Sequence, residues 1–380
     1  MKTLFEPFNL SGAMLQNRIV MAPMTRARAA NDIADEQTAL YYTQRATAGL
    51  IVSEGTPISR QGQGYLLNPG IFTAAQIAGG RLTTDSAHSV GGKIFAQLWH
   101  VGRVSHSSIQ GDDALPVSAS SKAAKSAMAF GYDQNGKSGP VPVPAPRQLS
   151  TNEVEDVIRQ FARAAENAIK AGFDGVEIHG ANGYLHEQFL NPRVNDRTDR
   201  YSAESLQNRL RFTIDVIDAI TNAIGAERTD IRLPPYGQLF DMLLYDEINE
   251  TYTALVGAIG QRKLAYVHIM NQTGFKRIDK GSEETNHGNF FALLETFKHF
   301  LPHTALILAG GLTRNIAEKM INNNIIDLAA FGVPYISNPD LVARLKNNWP
   351  IADADRNTFY GQHAIGYIDY PPYKPQQYNK

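Results

Sequence analysis

Eight short apolar runs, each followed by a longer amphipathic stretch, restrict the fold of this 380-residue sequence more than any other feature. Short, near-continuous apolar runs are typical of parallel strands that helices cover on both faces. Eight such β-then-α units predict an α/β fold, a closed (β/α)8 TIM barrel. The predicted strands are Arg18–Ala22, Gly49–Ser53, Lys93–Leu98, Gly175–His179, Ile231–Leu233, Ala265–Met270, Ala305–Ala309 and Asp327–Phe331.

Helical periodicity fills the intervals between these runs. The clearest helix is Thr151–Ala171, with Ser150 or Thr151 as its N-cap, Glu153 in its first turn and Gly172 as its C-terminal stop. A doubly wound open sheet is the competing fold. It would more often show a G-x-G-x-x-G turn after an early strand, and the sequence has none. The other predicted helices are Glu204–Ala223, Glu247–Arg262, Asn289–Phe300, Arg314–Asn322 and Pro339–Asn347.

Two segments lie outside the repeating pattern. Residues 102–149, after the third strand, are rich in Ser, Gly and Pro and show no clear periodicity. We interpret them as a long excursion, a loop or hairpin that caps the barrel's C-terminal face. The tail, residues 352–380, is rich in aromatic residues, so we expect it to pack on the barrel. The whole chain, 1–380, is therefore predicted to be one domain.

Composition excludes several classes of function. The sequence has no cysteine, which excludes a disulfide framework, a thiolate metal site and a cysteine nucleophile. With 36 basic and 37 acidic residues it carries a formal charge of −1, so nucleic acid and anionic membranes are not expected partners. No run approaches the roughly 18 apolar residues of a membrane helix, and the first residues lack a signal-peptide core. These observations predict a soluble, cytoplasmic protein.

The predicted carboxyl ends of the strands carry amides, hydroxyls and one fixed cation. Active sites of such barrels form at these ends. The set contains few carboxylates, which limits the acid–base chemistry available there. The residues at the eight ends are Pro23-Met24-Thr25, Glu54-Gly55-Thr56, Gln97-Leu98-Trp99, His179-Gly180-Ala181-Asn182, Arg232, Asn271-Gln272, Gly310-Gly311 and Gly332.

Three kinds of barrel enzyme do not fit this set. A Schiff-base aldolase needs a strand lysine, and the one available, Lys93, is at the wrong end of its strand. A metallohydrolase needs clustered ligands, but His179 and His268 lie two strands apart and no H-x-H occurs. We therefore expect no metal. A retaining glycosidase needs two carboxylates, and Glu54 is the lone clear candidate.

The set does suit a flat, polar heterocycle that carries a phosphate. The turns with Gly310-Gly311 and Gly332 follow strands seven and eight, where backbone N–H groups often cradle phosphate. Gln97 can pair with an amide-like ring edge, Thr25 can donate to a ring carbonyl, and Arg232 can stabilise negative charge on a reduced ring. Flavin mononucleotide (FMN) meets all of these demands.

The stretch HGANGY places three polar side chains at the end of strand four. His179 and Asn182 can both donate to one oxygen, which would polarise a carbonyl or nitro group. Tyr184 can deliver a proton. These three are the predicted catalytic residues.

Several motifs, in order along nearly the whole chain, resemble the Old Yellow Enzyme family of flavin-dependent ene-reductases. The two most specific are APMTR and HGANGYL. The matching stretches are Asn17–Arg26 (NRIVMAPMTR), Tyr41–Thr56 (YYTQRATAGLIVSEGT), Ala96–Arg103 (AQLWHVGR), His179–Pro192 (HGANGYLHEQFLNP), Ile336–Leu345 (ISNPDLVARL) and Gly366–Pro371 (GYIDYP).

The resemblance implies an FMN enzyme that NAD(P)H, foremost NADPH, reduces before an electron-poor alkene enters the same site. The expected substrates are α,β-unsaturated carbonyls, nitroalkenes and maleimides, with nitroesters, which are not alkenes, as a further class. In this scheme His179 and Asn182 hold the activating oxygen, hydride passes from the flavin to the β-carbon, and Tyr184 protonates the α-carbon. Flavin-contacting positions of the family match Pro23, Met24, Thr25, Gly55, Gln97 and Arg232, and substrate-pocket positions match Tyr65, Trp99 and Tyr360.

Three departures from the family pattern keep a second hypothesis open. Val333 stands where the family usually has an arginine that pairs with the flavin phosphate. The stretch Tyr201–Arg209 has lost a glycine pair, and Pro234 replaces the more usual serine. The alternative is a degenerate barrel with weakened FMN binding that acts as a ligand-binding or interaction protein. The charged run Lys276–Lys280 is interpreted as a solvated loop, in which Arg277 is a weak candidate for a role at the cavity mouth. The sequence does not distinguish a monomer from a homodimer.

Overall fold

The computed structural model describes residues 2–273, 283–361 and 364–375. Eight parallel strands close into a barrel in which the last strand pairs with the first. The predicted (β/α)8 barrel is confirmed, and most strand ends agree within two residues. The barrel strands are β1 (Ile19–Met21), β2 (Leu50–Pro57), β3 (Ile94–Trp99), β4 (Gly175–His179), β5 (Thr229–Leu233), β6 (Tyr266–Met270), β7 (Ala305–Ala309) and β8 (Leu328–Phe331).

Helices follow the strands and cover the barrel. All six predicted helices are present. Glu283–Phe300 begins six residues earlier than predicted, and Leu341–Asn347 begins two residues later than predicted. The sequence analysis did not predict four others: Glu36–Thr43, Ala74–Ser89, Leu185–Leu190 and Val333–Ser337. The helices are α1 (Glu36–Thr43), α2 (Ala74–Ser89), α3 (Thr151–Lys170), α4 (Leu185–Leu190), α5 (Leu206–Ile224), α6 (Ile248–Arg262), α7 (Glu283–Phe300), α8 (Arg314–Asn322), α9 (Val333–Ser337) and α10 (Leu341–Asn347).

Capping determines where the clearest helix, α3, begins and ends. The Ser150 side chain accepts from the Glu153 backbone, and the Glu153 side chain accepts from the Ser150 backbone, which completes a capping box. At the other end Gly172 adopts φ +89°, the left-handed conformation that favours glycine. Local sequence signals therefore sufficed for this helix.

The excursion after β3 contains a two-stranded antiparallel hairpin, Met128–Tyr132 with Ser138–Pro142. The Gln188 side chain on α4 ties the excursion to the barrel. It donates to the carbonyl of Val101 and accepts from the amide of Arg103 and the hydroxyl of Ser118. The excursion is thereby attached at the carboxyl ends of the strands.

The described part of the C-terminal tail lies against the segment that follows β1. Tyr367 is fully buried and stacks on Tyr41 with ring centroids 4.3 Å apart. Arg26 and Arg28 both donate to the carbonyl of Phe359, and Arg26 also donates to that of Gly366. Two buried arginines therefore hold the tail by its backbone.

One layer of the barrel interior is polar. Barrel interiors are usually filled by branched apolar side chains. Here Glu177 of β4 contacts His268 of β6, although β5 lies between these two strands, so the contact crosses the interior. Gln97 on β3 and Arg232 on β5 are also buried. Four neighbouring strands thus each contribute a polar side chain beneath the carboxyl ends.

None of the described helices combines the length and the apolar character that a membrane span requires.

Candidate active site

A tight turn sends three polar side chains off the end of β4. Asn182 and Gly183 both have positive φ, +60° and +76°. A Cβ on Gly183 would lie 2.5 Å from the carbonyl oxygen of Leu239, so this position requires glycine. Tyr184 then serves as N-cap residue of α4. The turn therefore brings His179, Asn182 and Tyr184 to one side of the strand end.

Aromatic contacts fix the imidazole of His179 and the phenol of Tyr184 beside each other. Trp99 stacks on His179 at 5.7 Å between ring centroids and meets Tyr184 edge-on at 4.9 Å. The His179 and Tyr184 rings meet edge-on at 5.0 Å. Tyr65 stacks on Trp99, and its hydroxyl lies 3.2 Å from that of Tyr184. Four predicted site residues thus form one cluster: Tyr65, Trp99, His179 and Tyr184.

The protonation states in this cluster follow from burial. Burial, with a further contribution from the Arg232 charge, lowers the pKa of His179 well below its ordinary value. The imidazole is therefore neutral at pH 7. Its Nδ1 accepts from the amide of Ala181 at 3.3 Å, so Nε2 carries the proton and is the donor. Burial raises the pKa of Tyr184 well above its ordinary value and that of Tyr65 to about 12, so both phenols stay protonated.

The carboxamide of Asn182 is oriented by Gln272, which follows β6. Gln272 Nε2 donates to Asn182 Oδ1. The amide nitrogen of Asn182 is consequently the end that remains available to donate. His179 and Asn182 therefore both present N–H groups, as the sequence analysis predicted for a site that holds one oxygen.

Arg232 offers positive charge to a group that lies inside the barrel mouth. Its side chain is 5% exposed, and its Nε has no hydrogen-bond partner among the described residues. Within the same part of the chain its one hydrogen bond joins Nη2 to the sulfur of Met270 at 3.0 Å. A buried guanidinium that makes no hydrogen bond to a carboxylate or a carbonyl is costly. The guanidinium is therefore suited to an acceptor-rich, anionic ring edge, which is the role that the sequence analysis expects of Arg232 toward FMN.

The glycine turns at β7 and β8 can accept a phosphate. Gly310 and Gly311 have φ of +105° and +72°, and a Cβ on Gly310 would lie 2.4 Å from the carbonyl oxygen of Asn271. The amides of Gly310, Gly311 and Gly332 donate to no described residue. Free N–H groups at such turns fit an anionic group. Val333, the first residue of α9, is 55% exposed and supplies no charge.

The structure corrects the position of Glu54-Gly55-Thr56. β2 runs to Pro57, so these residues lie within the strand rather than beyond its end. Glu54 is 2% exposed and accepts from the amides of Arg26 and Ala27, away from the cavity. Burial raises its pKa to about 7. A Cβ on Gly55 would lie 2.3 Å from Cε3 of Trp99, so this glycine makes room for the indole. The strand continues beyond Ser53 through EGTP, which lacks the apolar pattern by which strands were predicted.

A cavity of about 660 Å³ opens above the cluster. Thr25, Tyr65 and Tyr184 line it, and the 61%-exposed Tyr360 stands at its mouth. Met128, Phe130 and Pro140 of the hairpin form one apolar wall. His179, Asn182 and Trp99 are not among the lining residues; Trp99 lies beneath Tyr65. Pro23 is buried, and Met24 approaches Gly332 at the junction of β1 and β8.

The sequence analysis did not predict the roles of three polar residues near the site. Glu177 and His268 stand inside the apolar runs GVEIH and AYVHIM, and a charged residue within a buried strand was the available signal. Gln272 was noted at a strand end, but not as a partner of Asn182. The run Lys276–Lys280, including Arg277, lies outside the described residues. No group of three metal-ligating side chains occurs in the described part of the chain.

Comparison with known proteins identifies the family. A family model described as the NADH:flavin oxidoreductase / NADH oxidase family matches residues 3–351. The chain belongs to this family. It shares 38% identity over 371 residues with 12-oxophytodienoate reductase 1 of Oryza sativa subsp. japonica, an alignment that covers 97% of this chain and 92% of the relative.

Solved structures agree with this assignment. Morphinone reductase in complex with tetrahydroNAD superposes with a TM-score of 0.92 and 38% identity, covering 99% of both chains. An old yellow enzyme homologue from Zymomonas mobilis superposes with a TM-score of 0.89 and 33% identity, covering 97% of this chain and 99% of the other. This member of the Old Yellow Enzyme family is an FMN-dependent, NAD(P)H-dependent oxidoreductase that reduces activated alkenes. The alternative of a degenerate, ligand-binding barrel receives no support.

Proposed function

We propose that NADPH and the alkene use the cavity above Trp99 in turn, and that His179, Asn182 and Tyr184 carry the reduction of the alkene. Two neutral N–H donors beside a protonated phenol are the observation that carries this proposal. FMN, when bound, would supply the redox chemistry that links hydride from NADPH to the β-carbon of the alkene. The remaining steps belong to side chains of this enzyme.

His179 Nε2 and the Asn182 amide nitrogen donate to the activating oxygen of the substrate. Both donors are fixed before the substrate arrives, His179 by Trp99 and Ala181, and Asn182 by Gln272. Preorganised donors stabilise the negative charge that develops on that oxygen as hydride reaches the β-carbon. Because the imidazole is neutral, it binds the oxygen without transferring its own proton.

Tyr184 supplies the proton that completes the reduction. Its phenol is protonated at neutral pH and next to the donor pair. Hydride and proton together add two hydrogens across the C=C bond, and the Tyr184 phenolate then regains a proton from solvent. The Tyr65 hydroxyl, 3.2 Å away, orients the phenol and can stabilise its anion.

The cofactor would be held at two places. Thr25, Gln97 and Arg232 would contact the polar edge of the ring, with Pro23, Met24 and Gly55 close to it. Backbone amides of Gly310, Gly311 and Gly332 would bind the phosphate. The Arg232 guanidinium, whose Nε has no hydrogen-bond partner among the described residues, and the free amides at the glycine turns support this assignment.

The substrates we propose are cyclic and open-chain enones, with nitroalkenes, maleimides and nitroesters as further candidates. Relatives named as reductases of 12-oxophytodienoate and of morphinone support a substrate that carries a carbonyl group. The apolar hairpin wall and the size of the cavity support a largely apolar substrate.

An anaerobic experiment tests the proposal. The purified protein should show the visible absorption of oxidised flavin, lose it on addition of NADPH, and regain it on addition of 2-cyclohexenone with formation of cyclohexanone. Exchange of NADPH for NADH under the same conditions measures the preference between the two. A protein that NADPH bleaches but that 2-cyclohexenone does not reoxidise would contradict the assignment of an enone substrate.

We also propose a cytoplasmic enzyme that is a monomer or a homodimer. The lack of cysteine supports a reducing compartment. Light scattering on the purified protein distinguishes the two assemblies, and cell fractionation tests the compartment.

A further inference from the structure

The carboxylate of Glu177 is the centre of the polar layer inside the barrel, and none of the steps above uses it. It accepts from Gln97 Nε2 at 2.8 Å, from His268 Nδ1 at 2.8 Å and from the Tyr266 hydroxyl at 3.1 Å. Glu177 and His268 are fully buried, and Gln97 is 2% exposed. Three donors converging on one buried carboxylate fix its position and, through it, theirs.

The contact with Glu177 determines how Gln97 faces the site. A carboxylate only accepts hydrogen bonds, so the amide nitrogen of Gln97 must point toward Glu177. The carboxamide oxygen then points the other way, and it receives no hydrogen bond from a described residue. Gln97 therefore presents an acceptor to the cofactor position, which suits a ring N–H.

Glu177 also places a charge inside the buried interior of the barrel. Burial alone would raise its pKa, but His268, Arg232 and the hydrogen bond from Gln97 hold the pKa below its ordinary value. The carboxylate is therefore ionised at neutral pH. In a buried environment such a charge acts strongly on any group that gains negative charge nearby.

We propose that Glu177 is a positioning residue for FMN: it turns the Gln97 carboxamide oxygen toward the flavin ring and supplies a fixed negative charge that lowers the reduction potential of the bound flavin. The inference rests on the cofactor roles proposed for Gln97 and Arg232. The charge acts because a reduced flavin is more negative than an oxidised one, so a nearby carboxylate disfavours the reduced form. The orientation of the Gln97 carboxamide affects the affinity of the protein for the oxidised and the reduced flavin alike.

Glu177→Gln tests both effects in the full-length protein. The variant keeps the size of the side chain, removes the charge and brings a second amide toward Gln97. Fluorescence titration of apo protein should give an FMN Kd about tenfold higher, equal to the loss of one well-placed hydrogen bond. Dye equilibration should show the potential of bound FMN raised by about 30 mV, which corresponds to a tenfold change for a two-electron couple.

Two further variants separate charge, orientation and general damage to the barrel. Glu177→Asp keeps the charge but withdraws the carboxylate from Gln97, so the FMN Kd should rise while the potential stays at the wild-type value. Asp230→Asn is the matched control, because Asp230 is a fully buried carboxyl on the neighbouring strand without contact to Gln97. Burial raises the pKa of Asp230 well above its ordinary value, so this substitution removes no charge and should leave both quantities unchanged.

The outcomes decide the proposal. An upward shift in potential for Glu177→Gln that neither other variant shows supports it. Wild-type Kd and potential in Glu177→Gln, or an equal shift in Asp230→Asn, would overturn it. Should Glu177→Gln fail to fold, Glu177→Asp decides alone, since an unchanged Kd there contradicts the orienting role. A wild-type protein that binds no FMN overturns both this inference and the proposed function, whereas normal FMN reduction with no enone turnover overturns only the latter.

Discussion

The hydroxyl oxygens of Tyr184 and Tyr65 lie 3.2 Å apart, joining two buried, protonated phenols by one hydrogen bond. Tyr184 contacts His179 and lines the cavity, whereas Tyr65 stands one ring further from the donor pair. The two phenols are therefore chemically alike but lie at different distances from His179, so substitution of one serves as the control for substitution of the other.

Tyr184→Phe should slow the transfer of a proton to the substrate and little else. We expect the rate of flavin reoxidation by 2-cyclohexenone to fall by about 10²-fold or more, the usual effect of losing a positioned acid. Flavin reduction by NADPH, which needs no such proton, should be unchanged. Stopped-flow absorbance measures both half-reactions. Tyr65→Phe should retain most of the reoxidation rate, and a larger loss there than in Tyr184→Phe would reverse the two roles.

Val333→Arg should tighten FMN binding. Position 333 follows the Gly332 turn and is 55% exposed, so an arginine fits without repacking the core. A charge-assisted hydrogen bond to the phosphate contributes about 1.5–3 kcal/mol, which lowers the Kd roughly ten- to a hundredfold. Fluorescence titration of apo protein measures it. Ile351→Arg adds the same charge at another exposed apolar position and should have little effect. Equal gains in both variants would indicate a general charge effect.

Gly55→Ala should damage the site through Trp99. The added Cβ would lie 2.3 Å from Cε3 of the indole, so the ring must move. Such overpacking costs about 1–3 kcal/mol, and it should disturb the stacking of Trp99 on Tyr65 and His179. Chemical denaturation measures the stability, and near-ultraviolet circular dichroism reports the change around Trp99. Gly288→Ala, where no atom of the described residues lies within 4 Å of the new Cβ, should not reduce stability. A fully stable Gly55→Ala would show that the indole moves freely.

The raised pKa of Glu54 predicts a fall in stability as the pH rises. The folded protein holds this proton up to about pH 7, above the ordinary value of 4.5. The stabilisation is therefore fully present below about pH 4.5 and is lost as the pH rises through about 7, a change of about 3 kcal/mol. Glu54→Gln removes this titration. Urea unfolding at mildly acidic and mildly alkaline pH should therefore show that the free energy of unfolding of the variant increases relative to that of the wild type as the pH rises. Parallel pH profiles would contradict the assignment. Glu187, whose pKa is raised to about 8, contributes to both proteins alike.

Local patterns predicted the barrel because each strand is short, apolar and bounded by turn residues. The strand Ala305–Ala309 and the helix Arg314–Asn322 were predicted with their observed ends. Patterns failed where tertiary contacts decide. The helix Ala74–Ser89 contains Gly79, whose missing Cβ leaves room for the carbonyl oxygen of Ala34 at 2.4 Å, and its weak amphipathicity gives no periodic signal. Its N-terminus depends on a capping box of Thr73 and Gln76, a short motif that the search for apolar periodicity overlooked.

The site was predictable only in part for a related reason. Strand ends can be found along a sequence, so His179, Asn182, Tyr184 and Arg232 were identified from where they stand. The contact between Glu177 and His268 crosses the interior between residues far apart in the sequence, and no local pattern encodes it. The protonated nitrogen of His179 follows from a local contact with the Ala181 amide, but this contact depends on the geometry of the turn and not on the residue types.

The arginines that hold the tail have a consequence for how the protein folds. Arg26 and Arg28 bind the carbonyls of Phe359, Ile365 and Gly366, which lie more than 330 positions further along the sequence. Contacts between residues so far apart form slowly, because a long loop must close first. Tyr360, which lines the cavity, lies in the same tail, so we expect completion of the cavity to be among the slow steps of folding.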